Sequence, residues 1–284
     1  MKHRLPAATL ALALAGTALA GCSSSTGSTP STSDTAATSA APGGSTSTAP
    51  ATADLNLVTP GTLTICSDVP YAPFEYEDPS SPSGYTGFDI DLVTAIATNL
   101  GLKIVVLPTD FDALQSGVAL AAGQCDMGAS AITITDDRKA NLDFSDPVYD
   151  SLQSLMVKSD SGINTLADTA GKKIGVQTGT TGESYANTNK PASAQVVSFP
   201  SDGEEWLAIQ AGQVDALLQD YPVNFAHVKA DSSYVIAEKY NTNEQYGFAL
   251  AKGKNPALLA AVNTQLQALR DNGTYQTIYD KYFS

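Results

Sequence analysis

From Thr62 onward, short apolar runs alternate along the chain with stretches of helical period. Thr62-Leu-Thr-Ile-Cys-Ser67 reads as a strand ending at Asp68. Between Asp91 and Leu100, apolar side chains at Leu92, Val93, Ile96, Ala97 and Leu100 keep the 3.6-residue period and Gly101 stops it, which predicts a helix. Lys103-Ile-Val-Val-Leu107 has the apolar core of a strand, Phe111 to Ala122 predicts a second helix, and Cys125 to Ser130 a third strand. That alternation predicts βαβ units and a largely parallel sheet. The pattern then restarts. Lys173 to Gln177 and Ala194 to Phe199 read as strands, and Ser184 to Asn189 lies in a helix between them. Ser201-Asp-Gly-Glu204 has capping-box spacing and opens a helix through Ala211, followed by the strand Val214 to Gln219 ending at Asp220. Two short α/β blocks predict two lobes. Pro256 to Arg270 is a long amphipathic helix and Tyr275 to Phe283 a last helical segment; periodicity leaves open which lobe they complete.

An internal echo supports the division. Leu120-Ala-Ala-Gly-Gln-Cys-Asp126 and Ile209-Gln-Ala-Gly-Gln-Val-Asp215 both place Ala-Gly-Gln-x-Asp between a helix and a strand. Convergence on a common glycine C-cap would produce the same match, and either way the lobes share one supersecondary unit.

The first residues read differently. Lys2 and Arg4 precede an Ala/Leu stretch to Leu19, a basic segment and an apolar run too short for a convincing span. From Ser23 to Ala53 every residue except Asp34 is Ser, Thr, Gly, Pro or Ala, which cannot repay the entropy of ordering and predicts a tether. The net charge of −14 argues against sequence-independent nucleic-acid binding, which needs a basic footprint. Of three cysteines, Cys22 closes the leader. Cys66 and Cys125 then form an even pair that either bonds or stands as two buried thiols.

Open α/β sheets bind ligands beyond the carboxyl ends of their strands. That rule selects Asp68, the stretch from Ser130 to Thr133 including Ala131, the stretch from Gln177 to Gly182, and Asp220. The set suits a zwitterion. Arg138 offers a planar fork to a carboxylate. Thr180 to Glu183 has the spacing of a helix start, with Thr181 and Gly182 at its free N–H groups. Asp68 or Asp220 can accept from an ammonium, and Tyr71, Phe74 and Phe111 can sandwich an aliphatic stem or stack on a cation. Each also has a plainer role: Arg138 on the surface, Phe74 and Phe111 in the core, Asp68 in a turn. Catalysis has weaker support. His227 stands alone in a helical context, no His/Cys/carboxylate cluster has metal-ligand spacing, and the glycines around Gly179 lack a phosphate-loop ending, so no cofactor or metal is expected.

Seven stretches, in order, resemble the family 3 extracellular solute-binding proteins, the polar amino-acid-binding proteins of bacterial ABC importers. They are Ser67 to Tyr76, Gly87 to Leu92, Asp110 to Leu114, Ile132 to Arg138, Phe144 to Pro147, Gly175 to Gly182 and Asp271 to Tyr275. The resemblance implies an α/β, type II periplasmic-binding fold, two lobes with central sheets joined by a two-strand hinge. It implies a first lobe over 59–150 and 247–284, and a second over 151–246; separately, Leu19-Ala20-Gly21-Cys22 resembles the bacterial lipoprotein signal, which implies a signal at 1–21 and a lipidated Cys22, followed by the linker over 22–58. The family resemblance also implies carboxylate contacts at Arg138, Thr133 and Thr181, with backbone near Ser130 and Ala131, and an ammonium contact at Asp220. Asp68 and Tyr71 match side-chain-pocket residues, with Phe111 as the opposite wall. Ala131 stands where some relatives have Ser or Gly, and Gln177 where some have Lys or Leu. The expected partners are a free amino acid, a membrane-embedded permease and the membrane through the lipid anchor, around a monomer at the bacterial cell envelope.

Asp68 beside Tyr71 and opposite Phe111 suits a long side chain with a terminal cation, such as arginine, lysine or ornithine. Glutamine comes next, and glutamate is disfavoured by the cost of burying unmatched charge. The alternatives are a dehydratase- or hydrolase-like enzyme on the same fold, and an adhesin or sensory input domain.

Overall fold

A computed structural model describes residues 55–284. In chain order the elements of the first part are β1 (Thr62–Ser67), β2 (Tyr76–Glu77), β3 (Tyr85–Thr86), α1 (Phe88–Asn99), β4 (Lys103–Pro108), α2 (Phe111–Gln115), α3 (Val118–Ala121), β5 (Met127–Gly128), α4 (Asp136–Lys139) and β6 (Leu142–Phe144). Next come β7 (Tyr149–Lys158), a 3-10 turn (Leu166–Thr169), β8 (Lys173–Gln177), α5 (Thr181–Asn189), β9 (Gln195–Phe199), α6 (Asp202–Gln210), β10 (Ala216–Asp220), α7 (Tyr221–Ala230) and β11 (Tyr234–Tyr246). The chain closes with β12 (Ala249–Ala251), α8 (Pro256–Asp271) and α9 (Thr274–Phe283).

Two five-stranded sheets result, β4-β1-β5-β12-β6 and β11-β7-β10-β8-β9. In the first, β1 lies parallel to β4 and β5, and β12 runs antiparallel. In the second, β8 lies parallel to β9 and β10, while β7 runs antiparallel to β10 and β11. The antiparallel pair β7 and β11 also joins the lobes, from Tyr149↔Tyr246 to Lys158↔Tyr234. Helix α8 buries Leu258, Val262, Leu266 and Leu269 against the first sheet's core. Pro256 starts it, and the Asn255 side chain accepts from Leu258 N–H at 3.1 Å. The C-terminal helices therefore complete the first lobe.

The repeated Ala-Gly-Gln-x-Asp has one structural meaning in both places. Gly123 (φ 70°) and Gly212 (φ 69°) end their helices in the left-handed conformation. Asp126 then accepts from Thr64 N–H at 2.7 Å, and Asp215 from Lys173 N–H at 2.8 Å, each pinning the neighbouring parallel strand.

Four expectations change in detail. The segment from Phe111 to Ala122 is two short helices, because Gly117 (φ 82°) breaks it. The strand expected over Cys125 to Ser130 pairs only at Met127–Gly128. The first helix begins at Phe88, where Gly87 takes φ 130° and a Cβ would lie 2.1 Å from Phe74 O. The fold also begins earlier than residue 59: Leu55 is buried, Asn255 donates to its carbonyl, and Val58 N–H donates to Asp126. The expected signal, Cys22 and the tether up to Ala53 lie outside the described residues.

Cys66 and Cys125 form a disulfide with a Cα–Cα distance of 5.7 Å. It ties β1 to the turn entering β5 inside a cluster that includes Phe111, Leu114 and Ile132.

Candidate functional site

One cavity gathers residues from both lobes: Asp68, Tyr71, Phe111, Ser130, Ala131, Thr133 and Arg138 from the first, and Gln177, Thr180, Thr181 and Asp220 from the second. These follow the carboxyl ends of β1, β5, β8 and β10, as the sheet rule expects. Two expected residues do not line it. Phe74 is fully buried, edge-on to Phe88, Tyr149 and Tyr246 at 5.2–6.1 Å, so it is core. Gly182 lies in the first turn of α5 against β10, where a Cβ would approach Leu218 O to 2.9 Å.

Arg138 comes from α4, whose cap is the Thr135 side chain. Its guanidinium donates to Thr133 O at 2.8 Å and to Gly179 O of the other lobe at 3.0 Å, and lies over the Phe111 ring at 5.3 Å. Burial lowers its pKa, opposed by Asp220 and Glu244. Opposite, Thr180 caps α5 by accepting from Glu183 N–H at 3.0 Å, while Glu183 reaches back to Gly179 N–H at 2.8 Å. The cavity thus combines a guanidinium with the start of a nine-residue helix, both suited to a carboxylate.

The same cavity holds two carboxylates. Asp220 takes the Tyr71 hydroxyl at 2.9 Å and the Gln153 amide. Burial, then Glu244, pushes its pKa up to about 7. Asp68 accepts from Gln177 Nε2 at 2.6 Å across the cleft. Burial raises it to about 7 despite that bond, with Asp110 and Asp202 adding to the rise. Both carboxylates favour a cation that would share their desolvation.

Sequence reading missed four supporting groups. Gln153 on β7 and Glu244 on β11 stand behind Asp220 and Thr181, with Glu244 Oε2 accepting from Thr181 at 3.0 Å and Gln153 at 3.0 Å. Glu75 and Asp89 are buried beneath the Ser130–Ala131 turn. An acid directly after the apolar Pro73-Phe74 pair, and one inside the buried first turn of α1, were the signals available for the latter two. His227, expected to stand alone, lies 2.9 Å from Asp202 and stacks on Trp206 at 4.3 Å.

Residues 63–284 match the family model described as bacterial extracellular solute-binding proteins, family 3. The probable histidine-binding protein of Campylobacter jejuni is 33% identical over 78% of this chain and 84% of its own. The lysine/arginine/ornithine-binding periplasmic protein of Escherichia coli is 34% identical over 79% of this chain and 88% of its own. The solved structure of an ancestral arginine-binding protein bound to arginine is 37% identical with a TM-score of 0.71, covering 79% of this chain and 99% of that one. Relatives of different specificity share the architecture, so the substrate has to be read from this cavity.

Proposed function

This chain belongs to family 3 of the bacterial extracellular solute-binding proteins and has their two-lobed type II periplasmic-binding fold; from that premise we propose that it captures a free basic amino acid and delivers it to an ABC permease. The observation that carries the substrate class is the buried Asp68 carboxylate, which lines the same cavity as Arg138 but bonds to Gln177, with Tyr71 and Phe111 lining the cavity too. Arg138, Thr133 and the start of α5 take the α-carboxylate, Asp220 takes the α-ammonium, and Asp68 meets the terminal cation of arginine, lysine or ornithine. Glutamine is the second choice, because its amide hydrogens suit the same carboxylate. The first lobe is 59–150 with 247–284, extended at its start to Leu55, the second is 151–246, and the two close over the ligand. The protein works as a monomer tethered to the envelope by a lipid on Cys22 and the Ser/Thr-rich stretch behind it.

Calorimetric titration of ligand-stripped protein against a full amino-acid panel tests the assignment. Asp68→Asn removes the buried countercharge at a cost of about 3 kcal/mol, on the order of a hundredfold in affinity for a basic ligand. For glutamine the loss stays below about tenfold, since asparagine still offers an oxygen. Tight glutamate binding without a response to any basic amino acid or glutamine refutes the assignment.

A further inference from the structure

Glu75 is fully buried and does not line the cavity, yet it is bonded to a residue that does. Its Oε1 accepts from the Ser130 hydroxyl at 2.6 Å, while Ser130 Oγ accepts from Asp68 N–H at 2.9 Å. A serine hydroxyl has one hydrogen and two lone pairs. The hydrogen goes to Glu75 and one lone pair to Asp68, so Ser130 turns only a lone pair to the cavity.

Gln177 is constrained in the same sense. Its amide nitrogen donates to Asp68 Oδ2 at 2.6 Å and to Pro200 O at 3.1 Å, leaving the carbonyl oxygen to accept. The flipped amide would set oxygen against carboxylate. The corner around Asp68 therefore consists of a carboxylate, a serine lone pair and an amide oxygen.

We propose that Glu75 is a specificity-determining positioning residue: by holding the Ser130 hydrogen away from the cavity, it makes the Asp68 corner read hydrogen-bond donors and reject side chains ending in an acceptor. This deepens the reading of a basic amino-acid site and rests on it. The other Glu75 oxygen, Oε2, is buried without a partner among the described residues. Burial, reinforced by Asp89, pushes the carboxyl pKa well above its usual range, and Oε1 is the oxygen that takes the Ser130 hydroxyl. Asp89 fixes the adjoining backbone by accepting Ala131 N–H at 2.8 Å, where Ala131 adopts φ 46°. A buried carboxyl in this place costs stability without adding packing, and control of the Ser130 rotor gives it a use.

The test compares arginine with citrulline, which carries an oxygen in place of one guanidinium nitrogen on a side chain of the same length. In Glu75→Leu the freed Ser130 hydrogen can donate to that oxygen, and the preference for arginine over citrulline shrinks by about tenfold, one hydrogen bond's worth. Glu75→Gln keeps an oxygen for the Ser130 hydroxyl and holds the wild-type ratio. In a Ser130→Ala background the Glu75→Leu effect on the ratio disappears. A packing role alone would weaken both ligands equally, and an unchanged ratio in Glu75→Leu overturns the proposal. If that variant does not fold, Ser130→Ala alone decides: arginine must lose more affinity than citrulline, and equal losses overturn it. Wild-type protein that binds neither compound removes the premise itself, whereas a wild-type preference for arginine that survives in Glu75→Leu sinks only this inference.

Discussion

Asp68 and Asp220 both hold pKa values near 7, against an ordinary carboxyl at 3.8, because burial penalises their charge. A raised acid pKa means that the folded chain keeps protons the unfolded chain has lost. The associated stability is present below about pH 4 and disappears as pH rises through 7. Ligand binding has the opposite sign. An ammonium or guanidinium placed on either carboxylate favours its charged form, so binding expels protons below pH 7 and affinity rises toward neutrality. Each expelled proton weakens binding by up to about tenfold per pH unit on the acid side. Calorimetry in buffers of different ionisation enthalpy should register this release near pH 6, and Asp68→Asn should remove its share. Binding with no proton exchange there would show that the carboxylates do not meet the ligand's cations.

At the scale of elements, the Cys66–Cys125 bond closes a 59-residue separation that contains β2, β3, α1, β4, α2 and α3. Loop-closure entropy gives it about 4 kcal/mol. The Cys66→Ala/Cys125→Ala double variant should unfold at correspondingly lower denaturant while titrating the same number of ligand molecules; an unchanged midpoint would mean that the bond constrains nothing. The strands and helices read from the sequence were those with one steady environment. β1, β8 and β10 are short apolar runs, and α8 keeps one apolar face. β7 and β11 escaped residue-level reading because they pass between lobes. In β7 exposed Asp150 precedes buried Ser151, Gln153 and Ser154, and β11 is an edge strand of mixed polar residues. Most of the cavity was legible for a related reason: polar side chains directly after apolar strands fall at the sheet's carboxyl edge. Phe74 defeated that rule, since a large aromatic residue near the edge looks alike whether it faces ligand or core. Glu75 and Ser130 meet across 55 positions, a pairing no local pattern encodes.

For the whole molecule, the described fold begins by Leu55, and no helix among the described residues is long and apolar enough to cross a membrane. The proposed lipid anchor at Cys22 lies outside the described residues. Fractionation of cells making Cys22→Ser should find the protein in the soluble exported fraction, and full retention on membranes would contradict the lipid anchor. Within the fold, Arg138 is rooted in one lobe and donates to a carbonyl of each, Thr133 O and Gly179 O. The two bonds differ in when they can break. Parting the lobes leaves the first intact and must rupture the second, so the Gly179 contact holds the shut cleft against opening. A charge-assisted bond of about 1.5 kcal/mol that is lost before the opening barrier is crossed lengthens the dwell of the shut cleft by roughly tenfold. In the proposed function, the arginine that takes the carboxylate thereby also sets how long the cleft stays shut.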